Sequence, residues 1–519
     1  MKEWYKGLAL LLCLAAMFSG CSREIENSQT SAVESQAEEN SAAMQTVPVS
    51  GKELRMTAYM PKSLNPLKVT EQENAQLLMM IFMPLLETDE EGAPTAQGVA
   101  DQWKVSLDGY QVTLYIKGNI YWHDGELLTP SDVVYSLNAL ADAQTDHYWK
   151  EQLRSLTSAE LGEGREVILH FSSPVDERRM SMLAVPVMPE HIYAGGENYD
   201  WSPVGSGPYK VTEYQAMREI RMEANESYVG GCPKLSTLVV EITRSADATQ
   251  TAFEHGLTQI LYEEVPTGMS TENIYHHAVY QTDTHILQLM YMNQREGVLF
   301  SDPAMRQAVM YCVDAQELID RTQVHQGTAS ESVVPKWLAE DGLEQSYGVD
   351  YQKAYSLLGE HKMAEVRLIV SKKEETVIAQ AKLIYEQLME IGLKVRVILY
   401  EEADWKQALE DGEYDLAFGS CSIRSLQDLY TLLHSDGAGN YSGRKDETLD
   451  ALLDGIGEAD AGEREAAYQA LAQYVWETCP VCPLYYSRQA VVVSKLLGGS
   501  LTPTPYHIYK GIEDLYYIQ

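Results

Sequence analysis

Residues 103–137 read Trp-Lys-Val-Ser-Leu-Asp-Gly-Tyr-Gln-Val-Thr-Leu-Tyr-Ile-Lys-Gly-Asn-Ile-Tyr-Trp-His-Asp-Gly-Glu-Leu-Leu-Thr-Pro-Ser-Asp-Val-Val-Tyr-Ser-Leu. The pattern predicts a hairpin, a second turn and a capped helix in quick succession. Asp108-Gly109 is a turn signal. After it, Val112, Leu114 and Ile116 alternate with Gln111, Thr113, Tyr115 and Lys117, as a strand with one buried face requires. Asp124-Gly125 makes another turn after Trp122. Thr129 is placed to cap a helix whose first residue is Pro130 and whose third is Asp132, and Val133, Val134, Leu137, Leu140 and Ala141 give that helix an apolar stripe. Turns, caps and core faces account for nearly every residue here, so the stretch predicts scaffold rather than ligand contact.

The spacing of Trp103, Asp108-Gly109, Trp122, Asp124-Gly125, Thr129 and Asp132-Val133-Val134-Tyr135-Ser136 resembles a family signature. The family is the peptide/nickel (oligopeptide/dipeptide-binding) group, family 5, of extracytoplasmic solute-binding proteins that serve ABC transporters. Pro203-Val204-Gly205-Ser206-Gly207-Pro208-Tyr209-Lys210-Val211 resembles its second signature, and the glycines and proline there force a tight turn into a strand. Gly-Ser-Gly at this point lacks the lysine of a phosphate loop and the Gly-x-Ser-x-Gly spacing of a nucleophile elbow, which removes the catalytic reading. Ser63-Leu64-Asn65-Pro66-Leu67, Met305-Arg306-Gln307-Ala308 and Gly412-Glu413-Tyr414-Asp415-Leu416-Ala417-Phe418-Gly419 are similar to the family as well. The resemblance covers about residues 53–519.

It implies an α/β, periplasmic-binding-protein-like fold of type II, with three lobes: two mixed α/β lobes closing on a cleft, plus an additional small lobe. Lobe I would comprise 51–72, 200–283 and 490–519, lobe II 73–199, and lobe III 284–489. Local signals agree with mixed α/β structure. Residues 285–293 read as a strand, Asp302-Pro303 starts a helix with Met305, Ala308, Val309 and Cys312 on one face, and a helix over about 377–391 stops at Gly392 before an alternating strand. A long helix is expected from Arg464 to about Glu477, followed by an apolar strand from Val481 to Tyr486.

Before residue 51 the sequence predicts export. Lys2 and Lys6 precede an apolar run from Leu8 to Phe18, too short to span a bilayer but of secretory-signal length. The run ends at Phe18-Ser19-Gly20-Cys21, which resembles a bacterial lipobox, with Phe18 where an aliphatic residue is usual. A lipoprotein signal peptide over 1–20 and a lipidated Cys21 follow, with an ordinary signal peptide as the alternative. The rest of 21–50 is rich in Ser, Glu, Gln, Asn and Ala and lacks aromatic residues, the composition of a disordered tether.

Composition narrows the function. A 519-residue chain with 45% hydrophobic residues supports two or three globular domains. A net charge of −37, without a basic cluster, argues against a nucleic-acid partner. Beyond Cys13 and Cys21 remain Cys232, Cys312, Cys421, Cys479 and Cys482, an odd number that excludes complete intramolecular pairing. Cys479-Pro-Val-Cys482 has redox spacing but sits where the resemblance implies structural residues. His276-His277 would point to opposite faces of a strand, and no His-Glu-x-x-His or paired Cys-x-x-Cys set is present. No catalytic residue, metal site or cofactor is expected.

The resemblance also points to ligand contacts. In the family's peptide binders the glycine matching Gly419 is followed by an aromatic residue and then an aspartate that pairs with the ligand's α-ammonium group. Here those positions are Ser420 and Ile423, and an isoleucine cannot accept a charged hydrogen bond. Arg424 suggests the opposite preference, a carboxylate or phosphate, unless it faces solvent or pairs with Asp428. The same matching places Tyr148 and Trp149 of lobe II, and Tyr291, Asn440, Tyr485 and Tyr486 of lobe III, at the ligand. The expectation is a lipid-anchored, monomeric substrate-binding protein outside the cytoplasm that captures oligopeptides or peptide-like solutes and delivers them to an ABC permease, without chemistry of its own. The alternatives are a receptor for a nickel chelate, glycan fragment or anionic metabolite, and a ligand sensor for a signalling partner.

Overall fold

The computed structural model describes residues 53–518 apart from 143, 176–177, 196–198, 264–276, 323–326, 340–346, 374 and 460–461. The signal peptide, Cys21, the tether and His276 lie outside the described residues. No helix among the described residues is long and apolar enough to cross a membrane.

Two long strands, His277–Met292 and Val481–Ser494, pair antiparallel at the centre of an eleven-stranded mixed sheet. Beyond Val481–Ser494 come Ile260–Glu263, Glu53–Tyr59, Thr237–Thr243, Glu219–Ala224 and Tyr209–Gln215, in that order. Beyond His277–Met292 come Leu416–Ser422, Glu365–Ser371 and Lys394–Tyr400. The two long strands serve both halves because their register breaks between Asp283 and Leu287. Such an irregularity bends a strand and increases its twist, so one pair of strands can belong to two differently oriented half-sheets.

Side-chain alternation then builds a core on each face of the second half. Leu368 and Phe418 enter one core with Met290, Val309 and Ile384, while their neighbours Ile369 and Ala417 enter the other with Leu287, Leu432 and Leu471. A further core joins Leu54, Met56 and Val240 to Trp122, Leu137, Trp149 and Leu169. The last four come from a region built on a smaller antiparallel sheet, ordered Ala100–Val105, Gln111–Ile116, Glu166–Phe171 and Leu156–Leu161.

The opening stretch forms the predicted elements. Gly109 and Gly125 turn the chain at φ +74° and +95°. Val112 and Leu114 are fully buried, and the helix spans Pro130–Ala141. Asp132 is used twice: one carboxylate oxygen accepts from Thr129 N–H at 2.8 Å, and the other accepts from Glu190 N–H at 2.9 Å, tying the helix start to the following segment. Further along, helices span Pro303–Cys312, Glu375–Glu390 and Arg464–Thr478. The strands read as 285–293 and Val481 to Tyr486 extend to His277–Met292 and Val481–Ser494, because each continues across the register break to serve as the other's partner.

His123 joins the two signature stretches. Its N–H donates to the Gly205 carbonyl at 2.8 Å, Gly205 N–H donates to Nδ1 at 3.3 Å, and Nε2 lies 3.1 Å from the Gly207 carbonyl. These partners require a neutral ring with its proton on Nε2, since a second proton on Nδ1 would oppose the Gly205 N–H. Burial, reinforced by Lys210, pushes its pKa down to about 4. Between that value and the unfolded pKa near 6.5, the unfolded chain binds a proton that the folded chain refuses. The stability is therefore complete above about pH 6.5 and is lost as pH falls toward 4. His123→Gln is expected to flatten the acid limb of a urea-denaturation series by on the order of 2 kcal/mol between pH 7 and pH 4. Parallel limbs in the two proteins would contradict this role.

Candidate ligand-binding cleft

At the register break the chain opens onto a cavity of about 1530 Å³, reached by Gln281 through His285. Its walls come from distant parts of the sequence: Glu151 to Ser155 and Ser181 beside the small sheet, the loop around Trp337, the segment Arg424 to Asp428, Tyr486 and Arg488 at the register break, and Tyr506 from the loop that follows the strand Val481–Ser494. The break is held by Asp283, whose Oδ1 accepts from Arg488 Nε and from Thr328 Oγ1, each at 2.7 Å. Ile423 N–H donates to the His285 carbonyl at 2.8 Å, so the Arg424 segment is bound to the broken strand itself.

Asp428 is a second junction. Its Oδ2 accepts from Arg424 N–H at 2.9 Å and Ser425 Oγ at 3.2 Å, while its Oδ1 lies 3.4 Å from Arg154 Nη2 across the cavity. Arg154 also pairs with Glu151 at 3.2 Å and is 41% exposed, so the bridge is worth no more than about 1 kcal/mol and can open readily. Beside it stands an aromatic group. His285 meets Trp337 edge-on at 5.2 Å and lies 5.0 Å from Tyr506, and Trp337 meets Tyr486 edge-on at 4.9 Å. Burial, with the nearby positive charge of Arg424, pushes the His285 pKa down to about 3, so the ring is neutral at ordinary pH.

The model of the family described as bacterial extracellular solute-binding proteins, family 5 Middle, matches residues 95–443. The chain belongs to this family. It is accordingly an extracytoplasmic substrate-binding protein of ABC transporters and not an enzyme. Oligopeptide-binding protein AppA of Bacillus subtilis is 24% identical over 556 residues, covering 99% of this chain and 97% of its own length. Heme-binding protein A of Haemophilus influenzae is 24% identical over 507 residues, covering 88% and 91%. Among solved structures, the ABC transporter substrate-binding protein CtaP of Listeria monocytogenes superposes with a TM-score of 0.76 at 21% identity, covering 90% of this chain and 100% of that one. The expected type II, mixed α/β fold is the one this chain has.

Of the nine residues that family matching placed at the ligand, Arg424 and Tyr486 line the cavity and the other seven do not. Tyr485 and Tyr486 are neighbours on one strand and must face opposite sides of the sheet. Tyr485 enters the core with Met290 and donates to Gln380 Oε1 at 3.1 Å, leaving Tyr486 on the cavity side. Tyr291 packs edge-on against Tyr441 at 5.4 Å beneath Gly419, and Ile423 is fully buried in the same core. Ser420 is exposed on its strand away from the cavity. Asn440 holds a loop together, donating to the carbonyls of His434 at 3.1 Å and Arg444 at 2.8 Å. Trp149 is 2% exposed inside the core, with Tyr148 edge-on against it at 5.5 Å.

Sequence reasoning missed His285, Trp337, Tyr506, Asp283 and Arg488. They stand on loops and at the strand break, where no local periodicity marks them. The five described cysteines are free thiols. Burial pushes the Cys479 thiol up to about 11 and that of Cys482 further up, and the Cys479 sulfur sits 2.9 Å from the Tyr347 hydroxyl, a packing arrangement rather than a reactive pair. Among the described residues no group of three or more His, Cys, Asp or Glu side chains is placed to hold a metal ion.

Proposed function

We propose that the cavity holds an oligopeptide or peptide-like solute, and that the chain, a monomer anchored to the membrane through a lipidated Cys21, delivers it to an ABC permease. The observation that carries this reading is the cavity itself. Its volume of about 1530 Å³ exceeds the roughly 300–1,000 Å³ of clefts for drug-sized ligands. Its floor is the strand pair that joins the two half-sheets. A ligand touching both sides would favour the closed arrangement by differential contact, the ordinary basis of a population shift. The solved structure of Bacillus subtilis AppA, whose fold is shared at a TM-score of 0.65, is a complex with a nonapeptide.

Mass spectrometry of the protein purified from the membranes of its own cells tests both parts. The intact mass is expected to show an acylated Cys21 as the first residue, and the released ligand is expected to be peptide-like. An unmodified mature chain would refute the anchor. A single metal chelate, glycan or porphyrin as the retained species would refute the peptide assignment.

A further inference from the structure

Resting on the reading of this cavity as the ligand site, we propose that Arg424 anchors an anion subsite, and that the solute carries a carboxylate held against its guanidinium beside His285, Trp337 and Tyr506. Carboxylates outnumber cations along the cavity, as they do in the whole chain, with 76 Asp and Glu against 39 Lys and Arg. An arginine in such surroundings ordinarily finds a carboxylate. Arg488 has Asp283 at 2.7 Å, Arg154 has Glu151 and Asp428, and Arg179 donates to the Pro174 carbonyl at 2.6 Å. Lys336 is exposed to solvent.

Arg424 is half-buried, and its guanidinium has no hydrogen bond or ion pair among the described residues. Asp428, four residues on, makes no ion pair with it. That carboxylate is occupied by the backbone N–H of Arg424, by Ser425 and by Arg154. The cation is thus held in the wall of a cavity, partly desolvated and without a counter-ion, where an incoming anion loses less to solvent competition than it would at the surface. A guanidinium offers parallel N–H donors that match a carboxylate. The neutral imidazole of His285 adds a polar group without adding a competing carboxylate, and the rings of Trp337, Tyr486 and Tyr506 supply apolar surface for the body of the ligand.

The test uses three pools of N-acetylated tripeptides built from Ala, Leu, Ser and Tyr: free acids, carboxy-terminal amides, and amides containing one Glu. Succinate serves as a small carboxylate probe. Binding to wild type and to Arg424→Gln is followed by calorimetry and by the ¹⁵N indole resonance of Trp337, assigned by its absence in Trp337→Phe. Equal thermal unfolding of wild type and Arg424→Gln provides the folding control. Wild type is expected to take the free acids about tenfold or more tighter than the plain amides, and Arg424→Gln to abolish the difference. Recovery of affinity in the Glu-containing amides assigns the carboxylate to a ligand side chain, and its absence to the ligand's C-terminus. Equal binding of all three pools overturns the anion subsite while leaving the peptide reading intact. If no pool binds but succinate still moves the Trp337 indole in an Arg424-dependent way, the peptide reading falls and the subsite stands. A Trp337 indole that no probe moves overturns the subsite.

Discussion

Gly205→Ala is expected to destabilise the protein by more than about 3 kcal/mol, at the severe end for a single added methyl group. A Cβ at this position would stand 2.0 Å from the carbonyl oxygen of Ile81 and 2.7 Å from its carbonyl carbon. The obstacle is backbone, and it is pinned. The same Ile81 carbonyl accepts from Gly207 N–H at 2.8 Å, and the Met80 carbonyl accepts from Tyr209 N–H at 3.1 Å. Neither side can withdraw without breaking the hydrogen bonds that hold the second signature to the turn after the helix Gln72–Leu78. His123 would be displaced too, because it exchanges hydrogen bonds with Gly205 on the other side. Gly125 gives the contrast: it sits at φ +95° with nothing within 4 Å of an added Cβ, so Gly125→Ala incurs only the backbone strain of about 1–2 kcal/mol. Urea denaturation of the two variants distinguishes close approach from turn conformation. A Gly205→Ala protein as stable as Gly125→Ala would show that the signature does not need this contact.

That comparison also explains how much of the molecule the sequence reveals. The two signature stretches declare their local shapes, since Asp-Gly turns, a Thr-Pro-x-Asp helix start and strict alternation each act within a few residues. They do not declare that they dock on one another, because the bonds from His123 to Gly205 and Gly207 cross more than eighty positions of sequence. The central strands show the same division. Val481 to Tyr486 reads as an apolar strand, but its continuation to Ser494 and the break opposite Asp283 depend on the partner strand. The cleft is least legible of all. Tyr485 and Tyr486 look alike in composition, and only the orientation of the sheet decides that one donates to Gln380 while the other lines the cavity. Trp337 and Tyr506 arrive from loops that carry no periodicity.

Trp149→Ala is expected to lose about 3–5 kcal/mol of stability while leaving ligand affinity of the folded protein within about threefold of wild type. The side chain is among the largest fully buried ones in the chain, and it lies in the core shared by the small sheet and the strand Glu53–Tyr59. Removing an indole there leaves a void, and the backbone that carries it is tied in place: the neighbouring Tyr148 N–H donates to the Val69 carbonyl at 2.7 Å, and the Trp149 carbonyl accepts from Leu153 N–H at 3.2 Å. The surroundings can close only partly, which is why such truncations cost more than the transfer of the lost atoms. Glu151 to Ser155 of the cavity wall follow directly in sequence, but Gln152 is held from its other end by the Met182 carbonyl at 2.9 Å, and that restraint survives the substitution. Arg424→Gln should behave in the opposite way, with a thermal midpoint like wild type and weakened binding of carboxylate ligands. Denaturation and calorimetry on the two variants therefore separate an aromatic residue that builds the wall from a charged residue that reads the ligand. A Trp149→Ala protein of normal stability and tenfold weaker affinity would place the indole in the cleft after all, and would mean that the cavity opens further along the small sheet than its walls here indicate.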